Sequence, residues 1–362
     1  MPTLTAQEAR VLDHLRSDPF LTQQDLAVHL GSTRSTVATQ IRSLVDKGYI
    51  EGRAYVLSKP DPGVLCIGGI NVDVAFRLDT TLVQGTSNIG TATETPGGVA
   101  RNVAEAVVVA GTPAILLGPI GDDARGIAII NSTTRAGVEC TGVVVRPGEN
   151  TGVYTAVIGP DGDLVIGLND MHVLDTVAWD DIRPTLSQLA RTRWMFVDAN
   201  LQPDVIAAAV AAAVDAKVSI AADAVSVPKA HRLAESRFDL VFSNLEEASI
   251  LLGTDSGSAG DAVRSFVDAG HKAAVVTDGS LGAWWADESG SGHCRTVDAV
   301  GGDVTGAGDS LIAGTLASLC QGSPLADAVT AGIRLASQAL NLVGGSHAVF
   351  QQSAQSTTLE NM

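Results

Sequence analysis

From Val64 to Val276 the chain repeats one pattern: a short continuous apolar run, a cluster of glycine or small polar residues, then a helical stretch. Val64-Leu65-Cys66-Ile67 runs into Gly68-Gly69-Ile70, and further runs span 114–117, 194–197, 218–221, 240–242 and 273–276. Strands that are apolar without alternation must be covered on both faces, which is the condition of a parallel sheet between helices. The expected fold is therefore α/β, a central and mostly parallel sheet flanked by helices. With 362 residues, 45% apolar content and 38 glycines, the chain can hold such a core and its many tight turns.

Open sheets of this kind present ligand-binding groups at the carboxyl ends of their strands. Polar clusters fall there: Asn71 and Asp73, Asp198-Ala199-Asn200, Asp223 to Ser226, and Asn244 with Glu247. Asp73 can accept from two sugar hydroxyls, and Asn71 can donate and accept; the same pair also suits a plain turn. Gly97 and Gly98 let backbone approach a ligand at the start of a helix, with Asn102 one turn in. Asn244 and Glu247, three apart, can face one hydrated Mg2+, and equally can cap a helix. Thr277, Gly279 and Gly282 form a further Gly-rich turn suited to nucleotide phosphates.

The sharpest stretch is Gly302 to Ser310. Gly306, Ala307 and Gly308 let backbone N–H groups converge on an oxyanion at the positive end of a helix. Asp309 stands beside that anion site, where a carboxylate can take a proton from an attacking hydroxyl. Alone, the stretch reads as an ordinary Gly-rich turn.

Three strand-like runs, 143–145, 152–158 and 164–168, interrupt the alternation, the last two joined by Gly159-Pro160-Asp161-Gly162. With residues 74–94, the segment 143–170 is expected to form a small β lid that excludes water. Residues 1–58 read as a helix over 5–17, a second short helix ended by Gly31, a third helix carrying Val37, Ile41, Leu44 and Val45 inward, and a hairpin wing: a winged helix-turn-helix. A helical module used for packing or dimerisation fits the same pattern. Residues 59–63 form the linker, 64–350 the second domain and 351–362 a polar tail.

Charge divides the chain as well. Residues 1–59 carry seven Lys/Arg against six Asp/Glu, whereas the remainder carries 16 against 34. DNA contact is thus expected only through residues 1–58. Four separated cysteines and seven scattered histidines give no disulfide or zinc framework and imply buried reduced thiols in a cytoplasmic protein. No signal peptide or membrane span is expected.

No Walker-type phosphate loop occurs. Five motifs occur in order instead: Gly68-Gly69 with Asn71 and Asp73, Gly97-Gly98 with Asn102, Asn244 with Glu247, Thr277-x-Gly279-x-x-Gly282, and Asp303-x-Thr305-Gly306-Ala307-Gly308-Asp309. This set resembles the ribokinase-like (PfkB) carbohydrate kinases across roughly residues 62–348. Within that family it is most similar to the pseudouridine kinases, through Thr95 to Asn102, Pro147 to Thr151, Asn169-Asp170-Met171, and Asp223 to Ser226 with Lys229.

The resemblance implies an ATP-dependent kinase acting on the 5'-hydroxyl of pseudouridine, with another ribonucleoside, ribose or a nucleoside-sensing regulator as alternatives. It implies Asp309 as base and Gly306, Ala307 and Gly308 as anion hole. Asn244 and Glu247 would organise Mg2+, and Thr277, Gly279 and Gly282 would line the ATP site, with Asn244 and Lys229 near the phosphates. Asn71, Asp73, Gly97, Gly98, Asn102 and Asp170 would read the nucleoside, Asp303 and Thr305 would hold K+, and the chain would form a homodimer. Ala224 replaces a usual proline, and Val304 interrupts a common Thr-Thr pair.

Overall fold

The computed structural model describes residues 3–18, 21–50, 63–184, 189, 192–296 and 306–340. It separates into two compact units, Met1–Pro60 and Asp61–Met362.

The first unit holds α1 (Ala6–Ser17), α2 (Gln23–His29) and α3 (Arg34–Asp46), capped by Thr5, Thr22 and Thr33. Val11, Leu12, Leu15, Leu26, Val37, Ile41, Leu44 and Ile50 pack as its core. Val45, expected inward, is 46% exposed, because the inward stripe passes through Leu44 and turns away. Glu8 ties α1 to α3: Ser43 Oγ and Lys47 Nζ donate to Glu8 Oε1 at 2.6 and 2.8 Å. Those two partners hold the Glu8 carboxyl at about 2. Arg34, Ser35, Thr36, Thr39 and Arg42 form the exposed face of α3. The wing expected after Ile50, and most of the linker, lie outside the described residues.

The second unit runs β1 (Val64–Ile67), β2 (Asn71–Leu78), β3 (Gly90–Gly97), α4 (Val99–Val109), β4 (Ala114–Gly121), α5 (Ala124–Arg135), β5 (Glu139–Arg146), β6 (Gly152–Ile158) and β7 (Leu164–Asp170). It continues through α6 (His172–Asp175), α7 (Trp179–Ile182), β8 (Trp194–Asp198), α8 (Pro203–Ala216), β9 (Ser219–Asp223), α9 (Val227–Ala230), β10 (Leu240–Asn244) and α10 (Leu245–Leu252). It ends with α11 (Ala259–Asp268), β11 (Ala273–Thr277), β12 (Ala283–Asp287), β13 (Gly290–Cys294), α12 (Ala307–Cys320) and α13 (Leu325–Leu340).

Among the described residues the main sheet has nine strands in the order β13-β12-β11-β10-β9-β8-β1-β4-β5. From β11 to β5 every pairing is parallel; β12 and β13 add an antiparallel edge. Side chains alternate across the sheet, so Leu65 and Ile67 enter one apolar core with α8 and α11, and Val64 and Cys66 enter the other with α4, α12 and α13. From β1 the chain goes outward to β4 and β5, then returns to β8 on the other side of β1. That reversal makes the carboxyl ends of β1 and β8 a switch point where a crevice opens.

A second sheet of four strands, β3-β2-β6-β7, supplies the expected small β layer. Its membership differs from the expected lid in two ways. Residues 143–145 belong to β5, paired in parallel with β4 through Gly118↔Val143 and Ile120↔Val145, because the αβ crossover through α5 delivers them to the main sheet's edge. The layer also begins at Asn71, so the pair Asn71 and Asp73 lies on a lid strand and not on a loop after β1. Cys66 and Cys320 are buried as expected, while Cys140 and Cys294 are only half-buried; all four thiols are free. No described helix is long and apolar enough to cross a membrane.

Candidate active site

The switch point is fastened by Asp198, which is fully buried at the end of β8. Its carboxylate accepts backbone N–H from Gly69 at 2.8 Å, Ala100 at 3.0 Å and Asn200 at 2.9 Å. One side chain thereby joins the end of β1, the N-terminus of α4 and the end of β8. Gly98 makes this approach feasible: its φ is +101°, and a Cβ there would stand 2.6 Å from Gly69 C and 2.8 Å from Ile70 Cα. Gly97 lies against the Asp73 carboxylate, and Asn71 Nδ2 donates to Asp73 Oδ1 at 2.7 Å. Burial pushes the Asp73 carboxyl up, opposed by Asn71 and by the Arg101 charge.

Asn102, buried in the first turn of α4, reaches across the crevice: its Nδ2 donates to Asp309 Oδ2 at 2.7 Å. Asp309 stands in the first turn of α12, whose N-cap Gly306 is left-handed at φ +77°. Ser310 N–H closes the first helical bond onto Gly306, which leaves the N–H groups of Ala307 to Asp309 without partners inside α12. Burial pushes the Asp309 carboxyl up to about 7, with Asp198 and Asp73 adding to the rise and Asn102 and Arg101 opposing it. Near neutral pH that carboxyl is poised between its two forms.

Asp309 and Gly308 line a cavity of about 200 Å3 together with Asp223, Asn244, Glu247 and Thr277. Asn244 and Glu247 form a reciprocal cap at the start of α10, with Asn244 N–H donating to Glu247 Oε2 at 2.9 Å and Glu247 N–H to Asn244 Oδ1 at 2.8 Å. The capping alternative is therefore realised, and the Glu247 carboxylate still faces the cavity. Asp223 was only a strand-end polar residue in the sequence. Burial first, then the charges of Glu247 and Asp309, drive its carboxyl well above the usual range. Val225 beside it holds φ +64°, an outlier for a β-branched residue, supported by its N–H bond of 2.9 Å to Asp223 Oδ2.

Gly279 and Gly282 bracket a 3-10 turn directly after β11. Gly282 has φ +109° and packs on Cys294 O and Arg295 Cα, so its lack of a side chain serves contact with β13. Asp170 and Lys229 meet elsewhere: with Asn200 and Arg232 they line a cavity of about 340 Å3. Lys229 Nζ donates to Asn200 Oδ1 at 2.5 Å, and it does not line the cavity of Asn244 and Thr277. Asp303 and Thr305 lie outside the described residues. Asp198 and Asp223 were noted in the sequence only as carboxylates closing apolar strands, and Arg101 only as part of the Thr95 to Asn102 run; none of the three was given a role at the site.

Comparison with known proteins agrees with this architecture. The model for "pfkB family carbohydrate kinase" matches residues 61–350, and one for "winged helix-turn-helix DNA-binding" matches residues 4–51. The chain is 29% identical over 346 residues to an uncharacterized sugar kinase, YeiI, of Escherichia coli, covering 94% of each chain. It is 28% identical to the pseudouridine kinase of the same organism, over 77% of this chain and 90% of that one. Among solved structures, a carbohydrate kinase from Agrobacterium tumefaciens matches with TM-score 0.72 and 27% identity over 81% of this chain and 96% of that one. Arabidopsis thaliana ribokinase, complexed with ribose and ATP, shares the fold at TM-score 0.71 and 19% identity, over 81% of this chain and 99% of that one. The chain belongs to the pfkB family of carbohydrate kinases and carries an N-terminal winged helix-turn-helix domain.

Proposed function

We propose that this chain transfers the γ-phosphoryl group of ATP to the 5'-hydroxyl of pseudouridine, with Asp309 as general base. The observation that carries the reading is the Asp309 carboxyl, pushed to about 7 in a crevice and held by Asn102, at the N-terminus of α12. Asp309 takes the hydroxyl proton as the oxygen attacks phosphorus; the bond from the γ-phosphorus to the bridging oxygen breaks and ADP departs. The backbone of Gly306, Ala307 and Gly308 offers N–H groups to the migrating phosphoryl oxygens. Asp73 with Asn71, beside Gly97 and Gly98, is suited to hold ribose hydroxyls. Asp170 on β7 faces the base, and Thr277, Gly279 and Gly282 border the nucleotide.

Mg2+ fits the carboxylates present. Asp223, Glu247 and Asp309 line one cavity, and the charges of Glu247 and Asp309 raise the proton affinity of Asp223, a repulsion that a divalent cation relieves. When bound, the ion would neutralise charge on the donor phosphates. K+ at Asp303 and Thr305 remains part of the proposal.

Pseudouridine is preferred over other ribonucleosides because the kinase of that name from Escherichia coli aligns over most of both chains. A guanosine-inosine kinase from Exiguobacterium acetylicum aligns at 24% identity and represents the runner-up substrate class. DNA binding through residues 1–58 is supported by the winged helix-turn-helix match and the exposed Arg34 and Arg42. The YeiI match reaches into these residues, since 94% of the chain exceeds the second unit alone. A homodimer through β7 is supported by its exposure along all seven residues, with Leu164, Val165, Ile166 and Leu168 each at least 45% exposed. Turnover of a nucleoside panel tests the substrate: faster phosphorylation of inosine or ribose than of pseudouridine would reject the assignment.

A further inference from the structure

Arg101 is the largest fully buried side chain of the described residues, with 1% of its surface exposed. Its guanidinium is held from one side by Glu105, one turn along α4, with Nη1 donating to Oε1 at 3.0 Å and Nη2 to Oε2 at 3.2 Å. Glu105 is itself 4% exposed. From the other side the same Nη2 donates to Asn102 Oδ1 at 2.9 Å. Asn102 then presents its Nδ2 to Asp309 Oδ2 at 2.7 Å. A carboxylate, a guanidinium, an amide and a second carboxylate thus stand in series, three of them buried.

An amide can be flipped with little change in shape, and its flip is decided by its partners. If Asn102 turned over, its oxygen would face the Asp309 carboxylate and its NH2 would face the guanidinium, a repulsive pairing at both ends. Asp309 favours the same orientation from the crevice, and Arg101 fixes it from the buried side whatever the protonation of Asp309. A buried ion pair is poor evidence for stability by itself, and this one lies beside a reacting group, where fixing geometry is the better attested use of such a pair.

We propose that Arg101, clamped by Glu105, is a positioning residue for phosphoryl transfer: it fixes the Asn102 amide so that its NH2 orients Asp309 toward the acceptor hydroxyl. The proposal rests on Asp309 acting as base. Arg101 also supplies positive charge to a crowded corner. Asp73 on β2 and Asp198 on β8 push the Asp309 carboxyl up, Asp223 on β9 also faces it, and Arg101 from α4 pulls it down. Lysine could keep the charge yet could not reach Glu105 and Asn102 together, since it lacks the planar fork.

The test compares full-length wild type, Arg101→Lys, Arg101→Met/Glu105→Met and Asp309→Asn, using the nucleoside that wild type turns over fastest, with ATP. The double variant removes both ions at once, so no uncompensated charge is left buried to unfold the domain. Both Arg101 variants are expected to lose kcat about 10- to 100-fold, the scale of a small misplacement of a reacting group, with KM for ATP unchanged. The ascending limb of kcat/KM against pH is expected to move to higher pH in the double variant, where the charge is gone, and less in Arg101→Lys. A double variant with wild-type kcat overturns the proposal. A lowered Tm with an unmoved limb overturns it too, since that marks a purely structural ion pair. Wild-type turnover by Asp309→Asn would instead remove the base itself, a distinct failure that takes the positioning role with it.

Discussion

The two ends of α4 offer a controlled pair of glycine substitutions. Gly98 caps its start at φ +101° and ψ 130°, and Gly111 follows its end at φ +81°. A Cβ on Gly111 meets nothing within 4 Å, so Gly111→Ala carries only the left-handed backbone cost. That is about 1–2 kcal/mol, partly offset by about 0.4–1 kcal/mol from a stiffer unfolded chain. A Cβ on Gly98 would meet backbone, with Gly69 C at 2.6 Å and Ile70 Cα at 2.8 Å, and backbone cannot rotate away. Ordinary carbon contact needs about 3.5–4.0 Å, so α4 must retreat from the β1–β2 turn by roughly 1 Å. That movement pulls Ala100 N–H off Asp198 and withdraws Asn102 from Asp309. With strain of about 1–3 kcal/mol and a charged hydrogen bond of about 1.5–3 kcal/mol, Gly98→Ala should cost about 3–5 kcal/mol. Its kcat/KM should fall about 100-fold, as for a misplacement of that size. Denaturant unfolding and steady-state kinetics on the two variants supply the assay. Equal effects of the two substitutions, or wild-type kcat/KM in Gly98→Ala, would refute the packing argument.

Three further expectations follow from the same contacts. Because the folded Asp309 pKa, about 7, lies above its ordinary 3.8, the folded state binds the extra proton between those values, and this contribution to stability is lost as pH rises through 7. Asp309→Asn should therefore raise Tm more at pH 8 than at pH 5, and an equal shift at both would contradict the assignment of that pKa. Arg34→Ala/Arg42→Ala should weaken DNA binding and reduce its log-log salt slope by about 2, measured by fluorescence anisotropy; an unchanged slope would remove α3 as the phosphate-facing helix. Ile166→Lys on β7 should convert a dimer to monomer in sedimentation velocity, and a dimer surviving the charge would place the interface elsewhere.

The parallel core was legible because β1, β8, β10 and β11 are covered on both faces and so run apolar without alternation up to the polar residues that close β8, β10 and β11. The β12–β13 hairpin was not, since 290–294 reads Gly-Ser-Gly-His-Cys at an exposed edge and carries no strand periodicity. Residues 143–145 misled because sequence adjacency to the lid hairpin says nothing about which sheet completes the hydrogen bonds; the partner was β4, reached through α5. At the site, Gly98, Asn102 and Asp309 announced themselves as local motifs, whereas Asp198 and Arg101 did not. Asp198 acts on Gly69, 129 positions away, and the Asn102–Asp309 contact spans 207 positions. Such roles depend on the switch point bringing strand ends together, which no local spacing encodes.

The most direct measurement of the central claim is steady-state phosphorylation of pseudouridine, uridine, inosine and ribose by wild type and Asp309→Asn, with ATP as donor. Pseudouridine is expected to have the highest kcat/KM, and Asp309→Asn to lose about 100- to 10,000-fold of kcat, the usual worth of a positioned base. Equal turnover by the two proteins would contradict the claim, as would tight pseudouridine binding with no turnover by wild type.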